Sequence, residues 1–157
     1  TEYSSEGYVE VNGYLRSGKK YPQKEVREQI EGLDYLTDKR SLDRDIVTFR
    51  RDTGAGLPNG GRLSTQEFKA LRGSVLRDPG FTSTTITPSA MDGFRGNFDY
   101  EIRVPKGSRG AYIAPVSGLQ SEDEFLLGRG HSFRVLDAKP GTRTRPNRII
   151  LEVVSDG

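Results

Sequence analysis

The 157 residues suffice for one domain with a core of its own and fall short of two. With Cys 0 and a single His, disulfide staples, thiol nucleophiles and Cys/His zinc clusters are excluded. The net charge of +2 is close to balance, yet 17 of the 24 basic residues are Arg, which favours bidentate contacts to phosphate or carboxylate over a diffuse positive field.

In chain order, the opening "EGYVEVNGYLRSG" is ambiguous: Tyr8, Val11 and Leu15 fit a helix, while Val9 and Val11 alternate like a strand. After Pro22, Val26, Ile30 and Leu33 recur at helical spacing and predict a helix over about 23–36. "DIVTFRR" is a β-branched run expected to be a strand. "DTGAGLPNGG" lacks the Lys and the helix cap of a phosphate-binding loop and is expected to be a flexible surface loop. In "LSTQEFKALRGSVL", Ser64 and Glu67 make a capping box, and Phe68, Leu71 and Val75 are expected along one face of a second helix.

From Gly80 onward the chain changes to short strands punctuated by Gly and Pro: "GFTSTTI", "FDYEIRV", "GAYIA", "EFLL", "HSFRVLD" and "NRIILEVV". Phe98, Tyr100, Ile102 and Val104 alternate onto one side, as a half-buried strand requires. Helices first and strands afterwards argue for an α+β fold with largely antiparallel sheets. The longest apolar runs are a few residues, too short for a helix that spans a bilayer. The sequence opens at Thr1 without a charged-then-apolar stretch, and a mature form or an excised domain is expected. Arg143, Arg145 and Arg148 cluster in what reads as a solvated turn, so no nucleic-acid partner is expected. His131 has no GxSxG serine to serve.

The stretch "SEDEFLLGRG" sets three acids against an apolar triplet. In a strand, Glu122 and Glu124 project to one face with Cα atoms roughly 6 to 7 Å apart, and Asp123 points to the other. Two carboxylates on one face repel and raise each other's proton affinity, a cost a fold tolerates mostly where the charges are used. Taken alone, the stretch is better read as a solvated acidic loop ahead of a buried strand.

Other segments shift that balance. Arg50 ends one strand, Ser83, Thr84 and Thr85 form another, and the Glu-x-Glu pair opens a third. In that order these residues resemble the arginine-type mono-ADP-ribosyltransferases, in particular the enzymatic domains of clostridial binary toxins and related bacterial effector toxins. The resemblance covers almost the whole chain, from "YVEVNGYLR" to "RIILEVV", and includes "LRDPGFTSTT" and "IRVPKGSRGAYIAPVSGLQSEDEFLLGRGHSFRV". It implies two packed, largely antiparallel β-sheets with flanking helices around an NAD cleft, a helical opening stretch, and one catalytic domain over 1–157 excised from a larger toxin.

The resemblance also implies roles. Arg50 would hold the NAD phosphates, assisted by Arg51. Ser83 would brace the catalytic glutamate and touch the nicotinamide-side ribose, with Thr84 and Thr85 completing the strand, although Thr85 stands where the family usually has Ser. Tyr8 and Asn12 would contact NAD from the first helix. Phe94 falls where an aromatic packs on the nicotinamide, and an ordinary core Phe is a nearly equal reading. Glu124 would stabilise the ribosyl cation, and Glu122 would hold the acceptor arginine and take its proton. A Glu rather than a Gln at position 122 favours arginine as acceptor; Leu119 departs from an aromatic found in several relatives, and Gln120 is a poorer catalytic match than Glu124.

The expected activity is transfer of ADP-ribose from NAD, a substrate, to an arginine on a target protein such as actin, with no metal and no membrane partner. A secreted or translocated monomer acting in a target-cell cytosol, delivered by a larger polypeptide or a secretion system, is the matching expectation. The rivals are an NAD glycohydrolase on the same fold, a non-catalytic NAD- or ADP-ribose-binding module, and a Mg²⁺ nuclease or phosphatase using Glu122, Asp123 and Glu124.

Overall fold

The fold is taken from a computed structural model that describes residues 15–16, 24–39, 41–113 and 124–154. Among the described residues, eight strands form one hydrogen-bonded series flanked by the helices Lys24–Asp38 and Thr65–Lys69. Helix α1 (Lys24–Asp38) agrees with the helix read from sequence, and its Val26, Ile30 and Leu33 make the inward stripe. Helix α2 (Thr65–Lys69) starts on the expected capping box, with Glu67 N–H donating to Ser64 Oγ at 3.1 Å and Ser64 N–H to Glu67 Oε1 at 2.9 Å.

That helix is only five residues long. Val75, expected on its face, instead begins a strand and is exposed, because the chain turns at Gly73, whose φ of +87° ends the helix and whose N–H donates to Val135 O.

The strands are β1 (Ile46–Asp52), β2 (Val75–Asp78), β3 (Thr82–Thr85), β4 (Phe98–Val104), β5 (Gly110–Tyr112), β6 (Glu124–Leu127), β7 (His131–Lys139) and β8 (Asn147–Val154). Their order is β2-β7-β8-β4-β1-β3-β6-β5, and every pairing is antiparallel except β4 with β8. The α+β class holds. The two sheets expected from sequence are halves of this series, joined at β1 and β3 through the single bridge Phe49↔Thr85.

Packing follows from alternation. Phe98, Tyr100, Ile102 and Val104 are buried on one side of β4 together with Phe133, Val135, Ile149 and Leu151. Phe125 and Leu127 of β6 join the same cluster, so the sheet curls and brings its two halves face to face. Leu126 points the other way, into a second cluster with Phe81, Ile113 and the inward face of α1. This assigns "FLL" completely: all three side chains are fully enclosed, and Glu124 at the strand's start is held at the rim of the core.

Candidate active site

The β1–β3 seam positions the site. Beyond the Phe49↔Thr85 bridge the two backbones part, and the Arg50 side chain reaches across the gap to donate from Nη1 to Ser83 O at 2.8 Å. A guanidinium thus takes the place of backbone pairing where the strands diverge.

On β3, Ser83 and Thr85 share a face with Glu124 of β6, since the register sets Thr85 opposite Glu124 and Ser83 opposite Leu126. Ser83 Oγ donates to Glu124 Oε2 at 2.7 Å, a charge-assisted bond that fixes the carboxylate. Both side chains are half-buried. The neighbouring threonines are committed elsewhere. Thr84 is fully enclosed, with Oγ1 donating to Phe125 O at 2.7 Å, and Thr85 Oγ1 accepts from Thr87 N–H at 3.2 Å. In this structure their hydroxyls brace the strand and the turn that follows it.

Arg51 is likewise engaged within the protein. Alternation turns it away from the Arg50 side of β1, where Asp99 grips it bidentately at 2.6 and 3.1 Å and Asp92 lies 3.6 Å away. The Asp99 hydrogen bond holds its pKa above the ordinary value, so the cation is fixed in a structural pair. Phe94 is half-buried at the end of a 3-10 helix, Pro88–Gly93, that lies against β1 and β3. Tyr8, Asn12 and Glu122 lie outside the described residues.

Beside Arg50 is a cavity of about 560 Å³ lined by Arg50, Asp52, Leu57, Asp78, Thr82 and Tyr100, a size that suits a small-molecule ligand. "DTGAGLPNGG" forms one wall of it. This loop is not merely a surface connection: Leu57 is buried, and Gly54, with φ +82°, packs on the Phe98 ring. Burial raises the Tyr100 phenol pKa, and the nearby charge of Asp52 raises it further against the opposing Arg50, so Tyr100 stays neutral at any physiological pH.

At the far wall, Asp78 accepts a fork from Arg16 at 2.9 and 2.8 Å, the Gly80 N–H at 2.9 Å and the Thr82 hydroxyl at 3.1 Å. Burial pushes its pKa up, but these donors together outweigh burial and hold it below the ordinary carboxylate value. Sequence reading missed Asp52, Tyr100, Asp78 and Arg16. Only Asp52 carried a local signal, as the acid two residues beyond Arg50 that opens the glycine-rich loop. Among the described residues no group of three His, Cys, Asp or Glu side chains could hold a metal ion; Glu122 and Asp123 lie outside those residues.

The profile of the ADP-ribosyltransferase exoenzyme family matches residues 1–155. The chain belongs to this family. It is 31% identical over 144 residues to the NAD(+)--arginine ADP-ribosyltransferase EFV of Enterococcus faecalis, a match that takes in 85% of this chain and 27% of that protein. The chain spans less than two thirds of the length of each curated relative it matches, from 27 to 61%.

Among solved structures, the exoenzyme fold here is similar to Plx2a, an ADP-ribosyltransferase toxin from Paenibacillus larvae, with a TM-score of 0.77, 19% identity, and 97% and 87% of the two chains covered. It is also similar to the ADP-ribosylating toxin BECa of a binary enterotoxin of C. perfringens, solved with NADH, with a TM-score of 0.73, 22% identity, and 94% and 40% covered.

Proposed function

We propose that this chain is the catalytic domain of a bacterial toxin or effector that transfers ADP-ribose from NAD to an arginine of a target protein. The observation that carries the reading is the Ser83–Glu124 bond of 2.7 Å beside an Arg50 anchored on Ser83 itself. Family membership and the arginine-specific name of the Enterococcus relative support the same activity, and BECa with NADH supports the dinucleotide.

Each group has a task. Arg50 holds the diphosphate. The bond from the nicotinamide nitrogen to ribose C1′ breaks with its electron pair leaving on nicotinamide, and positive charge spreads over the ribose ring. Glu124, its Oε2 held by Ser83, sets a fixed carboxylate against that charge, a stabilisation worth most in the transition state. The acceptor guanidinium is protonated in solution, and Glu122 takes its proton as the new C–N bond forms. Phe94, Tyr8 and Asn12 complete the NAD contacts.

The domain works within a longer secreted or translocated polypeptide and acts in the cytosol of a target cell, with actin as one candidate acceptor. The test is incubation with labelled NAD and eukaryotic and bacterial lysates, with Glu124→Gln as control and the adduct mapped by mass spectrometry. An arginine adduct absent from the control is expected. Free ADP-ribose without a protein adduct would establish a glycohydrolase instead, and no nicotinamide release at all would leave a binding module.

A further inference from the structure

Asp52 stands two residues beyond Arg50, on the same face of β1, and its carboxylate accepts from two donors. Gly54 N–H donates to Oδ1 at 2.8 Å and Arg50 Nε donates to Oδ2 at 3.3 Å, with the Tyr100 phenol close to the pair. Asp52, Arg50 and Tyr100 all line the cavity. The Arg50 and Asp52 side chains are only 22% and 28% exposed, so water screens the pair less than it would a surface ion pair.

The guanidinium of Arg50 is consequently anchored at two corners, Nε by Asp52 and Nη1 by Ser83 O. Of its five N–H groups two are used, and among the described residues nothing takes the two on Nη2. The plane is fixed while an edge suited to paired oxygens remains available. An arginine free to rotate would lose rotamer freedom on gripping a phosphate, and two anchors remove that loss in advance. Through Gly54 the same carboxylate also starts the glycine-rich loop, so it ties the guanidinium to the cavity wall beside it.

We propose that Asp52 is a positioning residue that presents Arg50 to the diphosphate of NAD. The assignment rests on the reading of Arg50 as the phosphate holder and extends it to a residue that does not itself touch the reacting atoms. Electrostatics alone would give the opposite sign. A carboxylate near a diphosphate repels it, so removal of Asp52 would tighten NAD binding if charge dominated.

The test separates geometry from charge. Nicotinamide release is measured against NAD concentration for Asp52→Ala, which removes charge and acceptor, and for Asp52→Asn, which removes the charge and keeps an acceptor oxygen. Asp52→Ala is expected to raise KM for NAD about tenfold with kcat within about threefold, and Asp52→Asn to keep KM within about threefold of the parent. In a cycle with Arg50→Ala, the double variant is expected to be no worse than Arg50→Ala alone.

An unchanged or lowered KM in Asp52→Ala, or losses that multiply in the cycle, would overturn the positioning role. Should Asp52→Ala fail to fold, Asp52→Ser keeps a polar side chain but is too short to hold Arg50 Nε and is expected to raise KM about threefold, an unchanged value again counting against the role. If Arg50→Ala itself keeps the parental KM, the phosphate-holding reading fails first; an impaired Arg50→Ala beside an unimpaired Asp52→Ala sinks the positioning role alone.

Discussion

Ser83 lies diagonally across from Glu124, not directly opposite it, and still closes a 2.7 Å bond to its carboxylate. Thr85 holds the directly opposite place, yet its hydroxyl is spent on the turn at Thr87. Ser83 is therefore the fixed brace on one oxygen of Glu124, and Ser83→Ala frees the carboxylate without leaving a large void. Loss of a hydrogen bond to a charged group costs about 1.5–3 kcal/mol, or roughly 10- to 100-fold in rate. We expect kcat for nicotinamide release to fall by that factor with the thermal midpoint little changed. Equal activity in the variant would remove Ser83 from the mechanism.

Arg51 offers a contrast with its neighbour. Its guanidinium is held by Asp99 at 2.6 Å with both side chains about four-fifths buried, so Arg51→Ala strands a carboxylate. A cost of about 1–3 kcal/mol in unfolding free energy is expected, with KM for NAD unchanged. Denaturant titration and steady-state kinetics on the same variant decide the point. A raised KM at full stability would return Arg51 to the diphosphate.

Much of the fold was legible because its signals are local. The alternation of Phe98 to Val104, the Ser64–Glu67 box and the apolar face of α1 need only neighbouring residues, and each is found as read. Glu124 was legible for the same reason, as the last acid before a run with no choice but burial. What failed depended on distant partners. Val75 reads as helix until Gly73 bonds to Val135, and the Arg51–Asp99 pair forms only once the β1–β4 register brings the two alongside. Alternation placed Tyr100 in the core correctly but could not show that it lines one cavity with Arg50 and Asp52.

The Arg16–Asp78 lock predicts a pH dependence. The pKa of Asp78 is lower folded than unfolded, so the lock stabilises the fold above the unfolded value of about 4 and is lost as pH falls through the folded value. Thermal midpoints of the parent and Asp78→Asn are expected to differ by a constant gap between pH 5 and pH 7, roughly, and to converge below about pH 4. A gap that persists at low pH would show that the Asn variant suffers from packing, not from the lost charge.

Gly54 provides the sharpest test of the cavity wall. Its φ of +82° suits glycine, and a Cβ there would sit 2.5 Å from the ring of Phe98, which is 7% exposed and packed 6.2 Å from Phe68 between centroids. A left-handed residue with a side chain costs about 1–2 kcal/mol, and forcing an atom into a packed core costs about 1–3 kcal/mol more. Gly54→Ala should therefore lower stability by about 2–5 kcal/mol, or roughly 4–20 °C in a domain of this size. Gly56 is the internal control, since a Cβ there meets nothing within 4 Å and its backbone is not left-handed. Gly56→Ala should leave the midpoint within about 2 °C or raise it, because alanine restricts the unfolded chain. Calorimetry on both variants separates a loop whose wall is built by backbone geometry from one that is tolerant along its length. Equal midpoints for the two would show that the wall yields at Gly54 and that Phe98 does not depend on it.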